Sequence, residues 1–123
     1  MASLIAEVIG SINVQPNSGQ TLQGAVTLQI QALKQSATKY ESGIITGTGI
    51  ADAVLAMGQV ANAKLVVIQK AQSASISFKF STQGAADQVL PIGRIFVWDC
   101  ADKPITAIKY TGSGDFEFLL VEW

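Results

Sequence analysis

The chain contains no histidine, a single cysteine (Cys100) and a single arginine (Arg94). Without imidazole it lacks the commonest general base, the commonest metal ligand and every nucleophile of the Ser–His type. A lone cysteine cannot close an internal disulfide, so no oxidising compartment is implied. Cys100 follows Trp98-Asp99, and a neighbouring carboxylate raises a thiol pKa. It therefore reads as a small apolar residue at a strand end. Charged residues make up 14% of the chain, against about 25% in a typical soluble domain. Gln, Ser, Thr, Gly and Ala take their place, and such a deficit of charge is also found in interface cores.

Other classes are excluded by what is missing. Formal net charge is −1, and the lysines stand singly among acids, so there is no basic stripe to displace counterions from phosphates. Nucleic acid is not expected as a partner. No apolar run approaches the roughly twenty residues of a membrane-spanning helix, so a membrane is not expected either. The stretch Met1–Ile9 has no basic start, and Glu7 interrupts it. It reads as a cytosolic product without a secretion leader.

What the sequence does contain is alternation. Ile76, Phe78 and Phe80 alternate with Ser75, Ser77 and Lys79, while Phe116, Phe118 and Leu120 alternate with Glu117, Leu119 and Val121. A period of two places successive side chains on opposite faces of a strand. Val26, Leu28, Ile30 and Ala32 alternate with Gln29 and Gln31, which predicts a half-buried strand with a glutamine face outward. Lys64–Gln69 is β-branched and dense, as in a central strand covered on both faces. Arg94–Asp99 alternates Ile95 and Val97 against Phe96 and Trp98. Pro16-Asn17-Ser18-Gly19 predicts a turn, and Thr111-Gly112-Ser113-Gly114 predicts a hairpin between Ile105–Tyr110 and the last strand. Residues 50–63 read as either a short helix or a strand followed by a loop. The count is about eight antiparallel strands in one all-β domain spanning residues 1–123, a number typical of a jelly-roll or Greek-key β-sandwich.

Three constellations suggest chemistry, each with a plainer reading. Asp87, Asp99, Asp102 and Asp115 lie near turns, as loop ligands of calcium would. No D-x-D-x-D-G loop accompanies them, and acids at strand ends commonly cap turns. Gly47-Thr48-Gly49 with Asp52 has the outline of a phosphate loop but lacks its lysine and third glycine. Phe96, Trp98, Phe116, Phe118 and Trp123 would suit a sugar-stacking platform, yet their alternation within strands is that of core residues. No catalytic residue, metal ligand or cofactor is expected.

Gly47-Thr48-Gly49-Ile50-Ala51-Asp52, the strand Lys64–Ile68, the lead Leu90-Pro91-Ile92-Gly93-Arg94 into Ile95–Trp98, and the closing segment Ile105–Trp123 form one pattern. Over residues 44–123 it resembles small β-sandwich virion proteins of tailed bacteriophages. The resemblance implies a non-enzymatic capsid decoration or cement protein, made in the host cytoplasm and carried on the virion. It also implies a homo-oligomer, a trimer being favoured, bound to the major capsid protein or another virion protein. A tail, neck or fibre component and a carbohydrate- or receptor-binding module are the alternatives. Leu120, Val121 and Trp123 at the end strand, Gln29 and Gln31 on the glutamine face, and Asp102 in a loop are the candidate interface residues.

Overall fold

The computed structural model describes residues 4–14, 26–83 and 87–123. The predicted turn at Pro16–Gly19 lies outside them. Among the described residues the structure is all-β, 74% strand with no helix, and its sheets are antiparallel. It divides into two compact units, Met1–Ser36 and Ala37–Trp123. In the first, β1 (Leu4–Val14) pairs with β2 (Val26–Ala37) as a two-stranded sheet. Glu7 and Lys34 form an ion pair across it at 3.7 Å. Ala6 is buried, whereas Ile5, Ile9, Ile12 and Leu28 are exposed. The apolar side predicted for β2 is thus open at Leu28, as are the glutamines Gln29 and Gln31.

The second unit is one six-stranded sheet: β3 (Lys39–Val54), β4 (Leu65–Lys70), β5 (Ser75–Thr82), β6 (Gln88–Leu90), β7 (Ile95–Asp99) and β8 (Ile105–Glu122). Its spine is β8. One edge of β8 carries β3. Along the other, β5 pairs with Ile105–Ser113 and β4 with Phe116–Val121. Both β4 and β5 run antiparallel to β8, so they are successive lengths of one ribbon interrupted at residues 71–74. By the same logic β6 and β7, antiparallel to β5 and β4, form a second interrupted ribbon at the rim.

The sheet is curled. Held straight, the 18 residues of β8 would span nearly 60 Å at about 3.3 Å per residue. Yet Ala63 exchanges hydrogen bonds with Ile105 at one end of β8, while the amide of Lys64 donates to Val121 near the other. Adjacent residues lie about 3.8 Å apart, so the two ends of β8 must meet. The bend falls at Gly112 and Gly114, whose φ angles of +137° and +122° lie where side-chain-bearing residues rarely go. The predicted hairpin at Thr111–Gly114 is therefore corrected to a continuous bent strand. The glycines allow β4/β5 to approach, and β3 runs past them without reversing, with Gly47 opposite Gly114 and Ile50 opposite Gly112.

At that corner β3 slips register twice, and side-chain hydroxyls complete its ladder. The amide of Gly49 donates to Ser113 Oγ and that of Asp52 to Thr111 Oγ1, both at 2.9 Å. Residues 50–63 are strand to Val54 and then loop, the second of the two readings. Inside the curl lies the core, built from the inward parity of each strand: Val66 and Ile68, Phe78 and Phe80, Phe116 and Leu120. Phe78 and Phe116 come from opposite sides of the bend and meet edge-to-face at 5.0 Å, a geometry that aromatic quadrupoles favour.

Candidate interaction surface

The side chains with chemical potential are spread out and occupied structurally. Cys100 is buried, and its thiol donates to the carbonyl of Ala63 at 3.2 Å. Burial pushes its pKa up to about 11, so it is not a nucleophile near neutral pH. Asp99 accepts from the amide of Ala101 in its own turn. Asp87 accepts from Ser81 Oγ and from the Lys109 ammonium, contacts that lower its pKa. Asp102 borders a shallow cavity of about 280 Å³ with Lys103 and Asn62, and Asp115 lies in one of about 250 Å³ beside Ile44 and Lys70. Among the described residues, no three His, Cys, Asp or Glu side chains gather at one point.

Glu122 is a structural acid. Its carboxylate accepts from the amides of Asn62 (2.7 Å) and Ala61 (2.8 Å) and pairs with Lys39 at 3.9 Å. These donors, Asn62 first, hold its pKa below the ordinary 4.5. A carboxyl group more acidic folded than unfolded stabilises the fold above its ordinary pKa and loses that contribution as pH falls through the lowered value. Glu122→Gln should therefore flatten the acid limb below about pH 4.5, read as urea midpoints across pH. An unchanged acid limb would remove Glu122 from this role.

The outward parity of the same strands forms the surface of interest. In the half of the sheet made by β3, β8, β4 and β7, register aligns three outer rows: Tyr40–Val121–Leu65–Asp99, Ser42–Leu119–Val67–Val97 and Ile44–Glu117–Gln69–Ile95. Val121 and Leu65 are buried. Around them Tyr40 is 57% exposed, Ile44 65%, Ile95 69%, Val97 50% and Leu119 37%. Large apolar side chains thus stand open on β3, β8 and β7, flanking β4, and exposed apolar patches mark interaction sites.

The six sequence candidates are scattered by the fold. Leu120 is fully buried in the core, and Val121 is covered on the opposite face. Both are consumed by the subunit itself and leave no side chain free for a neighbour. Trp123 is half-buried, with the Lys64 ammonium 5.8 Å from its ring centroid. Gln29 and Gln31 are exposed in the first unit, and Asp102 is exposed in the second. Of the proposed sugar platform, Phe116 and Phe118 lie in the core, while Phe96 and Trp98 pack against Phe80 at 5.6 and 5.8 Å. Tyr40, Ile44, Ile95 and Val97 were not singled out, although Ile95-Phe96-Val97-Trp98 is apolar in both parities.

Compared with protein-family models, curated proteins and solved structures, the chain matches none.

Proposed function

We propose that this chain is a non-enzymatic structural subunit that works by being covered, assembling with copies of itself and binding the shell of a tailed-phage particle as a decoration or cement protein. The observation that supports it is the outer face of β3, β8, β4 and β7, with Tyr40, Ile44, Ile95 and Val97 open to solvent. Burying such a face against a neighbour removes apolar area from water at roughly 25 cal/mol per Å² before the costs of association. A subunit that binds only the assembled shell stabilises it by mass action. In this reading the curled sheet does the work of a jelly-roll sandwich, its two halves standing for the two layers. The copies form a ring, with three favoured, carried on the virion against the major capsid protein.

Electron microscopy of phage particles carrying a labelled copy tests the proposal. Label distributed over the head supports a decoration role. Label confined to the neck, tail or fibres moves the protein to that alternative, and particles that never carry the label contradict both.

A further inference from the structure

Among the described residues, three strand edges of the curled sheet end without a neighbour in it: β3 on one side, β6 and β7 on the other. Open edges invite pairing with other chains, and proteins guard them with charge, bulges, proline or brevity. Two of the three are guarded. β3 carries Lys39, Glu41 and Asp52 and slips register twice. β6 is three residues long and is followed by Pro91. β7 is the least guarded: its only charge is Asp99 at its end, and Ile95-Phe96-Val97-Trp98 contains no charge, no proline and no register shift against β4.

The direction of its free hydrogen-bonding groups follows from the ladder. The amide of Lys70 donates to the carbonyl of Arg94, and that of Cys100 to the carbonyl of Lys64. Pairing alternates along an antiparallel strand, so the even-numbered residues of β7 turn their backbone groups to β4. Ile95, Val97 and Asp99 turn theirs outward, where among the described residues no strand pairs with β7.

We infer that β7 is a two-fold self-pairing edge, joining antiparallel to β7 of a second copy with Val97 opposite Val97. This inference rests on the self-assembly reading above and adds a pairwise contact distinct from the one that would close a ring of three. Only certain registers keep core-facing residues on one side of a continuous sheet, because opposed residues share a face. With Val97 on the axis, Ile95 opposes Asp99 of the other copy, and all three outward-turned residues fall in pairs that exchange both hydrogen bonds. Phe96 then opposes Trp98 of the other copy on the inner face. Both are half-buried at the rim of the aromatic cluster around Phe80, so the pairing closes the open side of each core.

Charge selects the same orientation. Arg94 precedes the strand and Asp99 ends it. Antiparallel pairing brings the basic end of one copy to the acidic end of the other, whereas parallel pairing would set like charges together. A two-fold contact of one patch with itself is also the commonest form of homo-oligomer interface.

The test uses full-length protein in a Cys100→Ser background, with Val97→Cys exposed to oxidised glutathione. Val97→Cys is expected to give a covalent dimer, while Leu119→Cys, two strands away on the same outer face, stays uncrosslinked. Val97→Asp places two carboxylates on the axis and should reduce the native mass by at least half. An oligomeric native protein whose mass survives Val97→Asp, and in which Val97→Cys does not crosslink, would overturn the β7 contact and leave self-assembly standing. A native protein that is monomeric throughout would overturn both.

Discussion

Gly112→Ala is expected to leave the second unit unable to hold its native sheet, with a loss above about 3 kcal/mol. Two independent costs combine. The φ of +137° is strained for any residue with a Cβ, about 1–3 kcal/mol. A Cβ there would also stand 2.0 Å from the carbonyl oxygen of Ser75, which is backbone and cannot rotate away. Relief requires β5 to move off β8, and with it the corner that brings Ile105 and Val121 to neighbouring residues. Gly93→Ala is the matched control, since a Cβ at Gly93 meets nothing within 4 Å. Urea unfolding followed by far-ultraviolet circular dichroism should show an unchanged midpoint for Gly93→Ala and a lost or greatly lowered one for Gly112→Ala. Equal midpoints would mean that β8 does not bend there.

Phe78→Ala should be the most damaging truncation in the core, at about 3–5 kcal/mol. Phe78 is fully buried on β5 and touches both halves of the curl, edge-to-face with Phe116 and stacked with Phe80 at 6.3 Å. Removing the ring leaves a cavity that β-strands, pinned on both sides by ladders, cannot collapse to fill. Against a total of about 5–15 kcal/mol for a domain, the loss takes a large share. Tyr40→Ala on the outer face, 57% exposed, should cost the isolated fold less than about 1 kcal/mol. Thermal melts compare the two directly. A Tyr40→Ala penalty as large as that of Phe78→Ala would mean that the core lies on the other face.

Much of this was legible in the sequence because strand alternation is local. Ile76, Phe78 and Phe80 announce an inward face, and Phe116, Phe118 and Leu120 another, wherever those strands pair. The bend was not legible. Gly112 and Gly114 carry the composition of a hairpin turn, and whether such glycines reverse a strand or crease it depends on what lies across. Here that is Ser75 and Ala74 on one side and Gly47 on the other, partners 37 to 67 positions away. The same dependence explains the end strand. Leu119, Leu120 and Val121 make both of its parities apolar, but Leu120 is covered by the chain's own core and Val121 is buried on the outer face. The contact proposed here lies in β7, where Ile95–Trp98 is apolar in both parities. Alternation describes the faces of a strand, and only pairing identifies which strand is left at the edge.

In the proposed assembly, apolar surface left open by one copy is closed by others. Sedimentation equilibrium of the unmodified protein across the micromolar range measures this most directly. A self-assembling subunit should show a mass that is a multiple of the 12.9 kDa chain, falling toward that of the single chain only on strong dilution. A mass of one chain at every concentration would contradict it.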